Sequence, residues 1–409
     1  MSIRVLIVEA SSGGVVGGSL TGFVHMVRGL EPEHFTAAMA LYEEKSIEPE
    51  LAALGIDVYH VKRRRLPKRH ALLNAPAYRG AKRVSAVRVA LRGLRQTARL
   101  LAEEFPAARQ LARIVRRADV DVLHLGNGVR ANFDGILAGW MTGTPVVCHV
   151  KGFEKYGSRE RWAARRLGAL IFMTEAIAEH CRGHGIVARH NQVIYDAVDP
   201  AWLIPSRDRE AVRRELGVAA DTPLIAISGN IQEWKGQLVL VEAMGCIAEL
   251  HPGAHCLIVG GVHRSGEEYA AGLRRRVIEL GLGKRVHFLG FRDDIPDLMN
   301  AIDVVVHASV RPEPFGRVIL EGMLAGKPVI AANAGGVREL IRDRETGFLV
   351  DPGDEQALAA RLDDVLSAPD RATAIGQRAQ VWARDCFSLE RHIEEMAAVY
   401  ERVMRKETV

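Results

Sequence analysis

Short apolar runs alternate along the chain with turns and with stretches of helical periodicity, which predicts α/β units built around parallel sheets. A first series of strands is expected at residues 4–8, 58–61, 122–125, 146–149 and 170–172. A second follows at 224–228, 256–259, 286–289, 304–307, 329–331 and 348–350. Between them YDAVDPAWLIPSRDRE, polar and holding two prolines, reads as a linker, and residues 210–216 then open a second domain as a helix. The pattern divides the chain into domains at 1–203 and 204–388. A last helical period at 389–405 follows the completed second sheet and is free to pack back onto the first domain.

Length and composition agree with this division. A chain of 409 residues exceeds what one hydrophobic core usually supports. With 48% hydrophobic and 26% charged residues it is an ordinary globular protein rather than a fibre or a disordered chain. Cys148, Cys181, Cys246, Cys256 and Cys386 form no CxxC pair, which argues against a zinc site or a disulfide framework and fits the reducing cytoplasm. The opening MSIRVLIVE runs straight into a short strand, and no apolar run is long enough for a membrane span.

Open α/β sheets bind ligands beyond the carboxyl ends of their strands, where helix N-termini favour anions. The loops after strands are therefore where chemistry is expected. After the first strand, EASSGGVVGGSLTGF places Gly13, Gly14, Gly17 and Gly18 before a helix starting near Ser19, which suits either a phosphate-facing loop or a plain tight turn. Its spacing is not GxGxxG, so a dehydrogenase reading is poor. After residues 224–228, Gly229 ends the strand, while Lys235 and Gly236 stand at the mouth of a helix where cation and dipole converge on an anion. The plainer account is a solvated lysine beside a helix-starting glycine.

The most informative stretch is RPEPFGRVILEGMLAGKPVIAANAGGVREL. Pro312 and Pro314 stiffen a loop carrying Glu313, Phe315 and Gly316, a helix begins near Arg317, and Glu321 lies one turn into it. Eight helical steps span ~12 Å, so the two carboxylates serve different parts of one ligand rather than acting as a paired acid. Carboxylates accept hydrogen bonds, and sugar and ribose hydroxyls are natural partners. Gly335 and Gly336 precede another helix with Glu339 in it; taken singly, Glu321 and Glu339 also read as solvated helix residues.

Glu313, Pro314, Phe315, Gly316 and Glu321, followed by Gly326, Pro328, Gly335, Gly336 and Glu339, resemble the E-x-F-G-x4-E signature of the retaining glycosyltransferases of family 4. The similarity runs from about residue 224 to 366 and is looser in the first domain, where it rests on Gly17–Gly18 and VVCHV. The resemblance implies the GT-B fold: two facing Rossmann-like α/β domains, each a mostly parallel sheet with helices on both faces, with the nucleotide-sugar donor held mainly by the second domain and the acceptor by the first. It implies retention of anomeric configuration and independence of metal and cofactor. The one D-x-D, Asp119 to Asp121, falls where a helix hands over to a strand and needs no metal to explain it.

Carried over residue by residue, the resemblance implies that Glu313 holds the donor sugar, that Phe315 and Gly316 offer backbone N–H groups to sugar and diphosphate, and that Glu321 binds the ribose. Lys235 would neutralise the departing diphosphate, and Gly17, Gly18 and Gly229 would approach it closely. His149 matches a histidine contacting the donor sugar; a capped strand-end histidine is the other account. His124 is a weaker candidate. Two departures stand out. Asn230 occupies the place of a usual arginine on the diphosphate, so Lys151, Arg311 or Arg317 would have to supply that charge, and Ala197 replaces a usual glycine before Val198–Asp199.

The net charge of +5 is uneven, because residues 62–99 hold thirteen Lys and Arg and no Asp or Glu, leaving the remainder acidic. Val87, Ala90, Leu91, Leu94, Ala98 and Leu101 recur at helical spacing beside Arg88, Arg92, Arg95 and Arg99. This suits either an interfacial helix on anionic lipid, presenting a lipid-linked acceptor at the inner face of the membrane, or a solvated basic helix covering the core. No nucleic-acid recognition motif accompanies it. The sequence points to a glycosyltransferase whose partners are a nucleotide sugar and a carbohydrate or lipid-linked acceptor. The competing readings are an epimerase or hydrolase acting on a nucleotide sugar with the same fold, or a catalytically silent nucleotide-sugar-binding protein.

Overall fold

The computed structural model describes residues 2–10, 18–31, 33–63, 96–262 and 266–405. It divides into two compact units, one formed by Met1–Phe172, His180–Gln192 and Ile393–Val409, the other by Met173–Glu179 and Val193–His392. The boundary falls near residue 193 rather than 203. The reason is local: Arg317 donates to the Ala197 carbonyl at 3.3 Å, and Ser206 donates its N–H to Asp297 at 2.6 Å, so the segment read as a linker is bonded into the second unit.

The first unit holds a seven-stranded sheet in the order β3-β2-β1-β4-β5-β6-β7. Its strands are β1 (Ile3–Glu9), β2 (Phe35–Leu41), β3 (Asp57–His60), β4 (Val122–Leu125), β5 (Val146–Val150), β6 (Ala169–Phe172) and β7 (His190–Val193). The pairings from β3 through β6 are parallel. β4 and β5 are buried along their whole length, as expected of strands covered on both faces. β2 and β7 are absent from the sequence reading. FTAAMAL is rich in alanine, HNQV is polar, and neither has the β-branched run that marks a strand.

The helix Leu389–Met404 reaches this unit through its later turns: a Cβ on Gly29 would come within 2.0 Å of the Ile393 side chain. At the start of β4, Arg4 donates to Asp119 at 2.7 Å and its N–H to Asp121 at 2.8 Å, so the D-x-D pair holds the amino end of the sheet, opposite the chemistry-bearing loops. Of the basic stretch, residues 64–95 lie outside the described residues, and with them most of the helix expected over 87–101.

The second unit holds a six-stranded, all-parallel sheet in the order β10-β9-β8-β11-β12-β13. These are β8 (Leu224–Ser228), β9 (His255–Val259), β10 (Val286–Gly290), β11 (Val304–His307), β12 (Val329–Ala332) and β13 (Phe348–Val350). Its core interleaves strand residues such as Ile225, Ile258 and Val306 with Leu240, Leu273 and Leu362 from helices. β8 and β11 are neighbours at the centre although the chain returns between them, so the strand order reverses there. That is the place where open α/β sheets bind ligands. Among the described residues no helix is long and apolar enough to cross a membrane.

Candidate active site

At this reversal the loops after β8 and β11 meet. The loop after β8 passes Gly229, makes a short turn at Glu233–Lys235, and enters the helix Gln237–Cys246 through Gly236 at φ +71°. A Cβ on Gly236 would stand 1.8 Å from the Ala308 carbonyl oxygen, so only glycine lets this turn abut the first residue after β11. That contact brings Lys235 beside Glu313.

The carboxylate of Glu313 is tightly organised. Its Oε2 accepts from Lys235 Nζ at 2.8 Å, from Ser309 Oγ at 3.0 Å and from His307 Nε2 at 3.2 Å. Because an ionised carboxylate only accepts, His307 carries its proton on Nε2. No described residue donates to Oε1, which is left for a ligand. Burial alone would raise this carboxyl, but the His307 hydrogen bond and the Lys235 charge outweigh it and hold the pKa at about 2. Glu313 is therefore an anion throughout the physiological range.

The backbone of the loop is fixed as firmly. Glu313 bridges Gly335, its carbonyl accepts the Gly336 N–H at 2.9 Å, and Thr174 Oγ1 donates to the Pro314 carbonyl at 3.0 Å. Phe315 is buried, with its ring 6.2 Å from Phe387, so its side chain belongs to the core. The N–H groups of Phe315 and Gly316 donate to no described residue, and they stand at the N-terminus of the helix Arg317–Leu324. These two donors directly precede the helix, next in the chain to a fixed carboxylate that holds a cation, an arrangement suited to a sugar attached to a diphosphate.

The remaining expected residues are distributed as follows. Glu321 is largely buried on the same helix; burial raises its carboxyl and Arg317, 3.9 Å away, lowers it. Arg317 is occupied elsewhere as well, reaching Asp196 at 3.4 Å and the Ala197 carbonyl at 3.3 Å. Asn230 exposes its side chain and uses its carbonyl to accept from Gln237 at 3.1 Å. Arg311 is exposed, two residues before Glu313. Glu339 differs from the solvated residue it resembled, since its carboxylate accepts the N–H groups of Glu175 at 2.8 Å and Ala176 at 2.9 Å.

In the first unit, Gly18 opens the helix Gly18–Gly29, while Gly17 lies outside the described residues. His149 is buried on β5, its ring 5.8 Å from His124 and 6.0 Å from Phe23. His124 Nδ1 lies 2.6 Å from the Tyr400 hydroxyl, a structural bond to the C-terminal helix. Lys151 places its ammonium 4.2 Å from the centre of the Phe23 ring.

Sequence reasoning passed over His307, Ser309, Thr174 and Asp196. His307 and Ser309 precede Glu313 by six and four residues at the end of a strand, a legible signal. Thr174 and Asp196 are remote in sequence and become visible only through folding.

The family described as Glycosyl transferases group 1 matches residues 208–382, and that described as Glycosyltransferase Family 4 matches residues 46–202. The 2-deoxystreptamine glucosyltransferase of Streptomyces kanamyceticus is 31% identical over 313 residues, covering 71% of this chain and 79% of that protein. The D-inositol 3-phosphate glycosyltransferase of Corynebacterium kroppenstedtii is 33% identical over 223 residues, 53% of this chain and 49% of that one. Among solved structures, Anabaena Alr3699/HepE in complex with UDP-glucose superposes with a TM-score of 0.79 at 26% identity, covering 98% of this chain and 99% of the other. The chain belongs to glycosyltransferase family 4 and is a glycosyltransferase of the two-domain GT-B fold.

Proposed function

We propose that this glycosyltransferase moves a sugar from a nucleotide-diphosphate donor to a hydroxyl of a carbohydrate or lipid-linked acceptor, with retention and without a metal ion. The observation that carries this reading is the Glu313 carboxylate. One oxygen accepts from Lys235, Ser309 and His307, and among the described residues nothing donates to the other and the N–H groups of Phe315 and Gly316 have no acceptor. Oε1 accepts a hydroxyl of the donor sugar, the two N–H groups receive sugar and phosphate oxygens, and Glu321 accepts from the ribose.

In the reaction the bond from the anomeric carbon to the phosphate oxygen breaks, and the acceptor oxygen forms its bond on the same face. The acceptor proton passes to the departing phosphate. Charge develops on that leaving group, and Lys235, held 2.8 Å from Glu313, is the cation proposed to stabilise it. For His149 the proposal is a part in turnover, tested by the kcat of His149→Ala. Five free cysteines and a nucleotide-sugar substrate support a cytoplasmic site of action. For the basic stretch at 62–99 the proposal is contact with anionic lipid at the inner face of the membrane.

The test begins with a panel of nucleotide sugars screened for thermal stabilisation, because a ligand that binds only the folded state raises Tm by mass action. Turnover with the best donor is then followed by proton NMR in the presence of a chelator. A retained product supports the reading. An inverted product, loss of turnover on chelation, or release of free or epimerised sugar from donor alone would each refute the corresponding part.

A further inference from the structure

The first unit holds two tryptophans in the open. Trp140 on the helix Phe133–Thr142 is 49% exposed and Trp162 on the helix Ser158–Ala164 is 40% exposed. Their rings meet edge to face with centroids 4.8 Å apart. The Arg166 guanidinium lies 4.1 Å from the Trp162 ring centre and 5.4 Å from that of Trp140, pinned by a 2.9 Å bond to the Trp162 carbonyl.

Beside Trp140, Arg116 donates to the Met141 carbonyl at 2.7 Å. Arg116 ends a stripe on the helix Phe105–Arg117, where Phe105, Arg109, Arg113 and Arg116 follow at helical spacing and all are exposed. Neither 105–117 nor 161–167 contains an Asp or Glu. Among the described residues no carboxylate pairs with Arg109, Arg113, Arg116 or Arg166.

Two exposed indoles within a field of arginines fit a boundary that is apolar below and anionic above. Indoles settle at the headgroup level of bilayers, and guanidinium groups bind lipid phosphates while their stems remain in apolar contact. A polysaccharide is the other partner such rings could take, but it needs open ring faces. Here Arg166 lies over Trp162, and the edge of one indole occupies the face of the other.

We propose that the face formed by Trp140, Trp162, Arg116 and Arg166 docks this enzyme on an anionic lipid bilayer. The surface differs from the basic stretch at 62–99, and the proposal does not rest on the reading of the donor site.

The test uses the full chain with phosphatidylcholine vesicles, with and without phosphatidylglycerol, read by co-sedimentation and by quenching of tryptophan emission with brominated acyl chains. The wild type is expected to bind only the anionic vesicles and to be quenched. In the Trp140→Ser/Trp162→Ser variant the quenching should disappear and binding should weaken on the order of tenfold. Arg116→Gln and Arg166→Gln should each weaken it about fivefold. Thermal unfolding checks that the variants fold. Should the serine pair unfold, Trp140→Phe/Trp162→Phe keeps aromatic packing and decides the matter by loss of quenching alone. The proposal is overturned if the wild type ignores anionic vesicles, if quenching and binding survive the double substitution, or if the substitutions abolish binding to a soluble glycan while leaving vesicle binding intact.

Discussion

Lys235 Nζ and Glu313 Oε2 lie 2.8 Å apart, so the cation suited to a diphosphate and the carboxylate suited to a sugar neutralise each other. On the proposed reading, donor binding would exchange one anion for another at Lys235, while Glu313 would keep Ser309 and His307. Lys235→Met is expected to lower kcat roughly 10²–10³-fold, the usual cost of losing one fixed electrostatic group at a developing charge. Tm should fall as well, because the Lys235 charge is one of the effects that hold the buried Glu313 carboxylate ionised, and only Ser309 and His307 are left to satisfy it. Steady-state kinetics at saturating donor, beside a thermal melt, checks this; a variant with unchanged kcat would remove Lys235 from the leaving-group role.

The low pKa of Glu313 sets a pH dependence with a definite sign. A carboxyl held at about 2 when folded, against 4.5 when unfolded, contributes stability that is fully present above pH 4.5 and is lost as pH falls toward 2. The contribution is about 3 kcal/mol at neutral pH. Glu313→Gln should therefore show a shallower loss of stability between pH 5 and pH 2 than the wild type, measured by denaturant unfolding. Parallel pH profiles for the two proteins would show that the ion pair contributes nothing.

Glu321 carries the opposite sign. Burial raises its carboxyl, so the folded chain binds the proton more tightly than the unfolded one, and stability falls as pH rises through that range. Glu321→Gln should make the ligand-free protein more stable at neutral pH and at the same time raise KM for the donor, because an amide is a poorer acceptor for a ribose hydroxyl. A calorimetric Tm and a donor KM decide it together. A loss in both would mean that Glu321 serves the fold.

The strand-and-helix rhythm and the position of Glu313 were legible because both are local. The apolar runs at β8, β11 and β12 are dense enough to stand out, and two prolines with a glycine mark the loop around Glu313. What stayed hidden depends on contacts between remote segments. Thr174 reaches Pro314 across 140 residues and Glu339 reaches Glu175 across 164, so neither bond leaves a trace in spacing. Arg317 had the charge expected of a diphosphate ligand, yet Asp196 and Ala197 engage it, a use that nothing within its own helix announces.

Gly336 offers a direct probe of how closely the Glu313 loop must be held. A Cβ there would meet the Pro314 carbonyl oxygen at 2.3 Å and the Thr174 methyl at 2.6 Å. Neither partner is the end of a long flexible side chain, so the backbone of the loop has to yield. Gly336→Ala should cost about 1–3 kcal/mol of stability as an overpacked contact. Its larger effect should be on kcat, falling on the order of 10²-fold because a displacement near 1 Å at a positioning loop is amplified in the rate. A variant of unchanged kcat would show that the loop tolerates movement.

Asn230 is where a gain rather than a loss is expected. Its side chain is exposed just after Gly229 at φ +146°, and among the described residues its one hydrogen bond is the carbonyl's, from Gln237. An arginine at this position keeps that carbonyl bond, because the backbone is unchanged, and adds a guanidinium on the same loop as Lys235. Bidentate pairing with phosphate is stronger than an isolated ammonium contact. Asn230→Arg is therefore expected to lower the inhibition constant of the product nucleoside diphosphate by about fivefold at low salt, with the gain shrinking as ionic strength rises. Asn230→Ala should leave it unchanged. Because tighter product binding slows release, kcat should stay level or fall even as affinity rises. Inhibition constants measured across a salt series separate these outcomes, and an affinity gain indifferent to salt would show that the new side chain acts by packing rather than by charge.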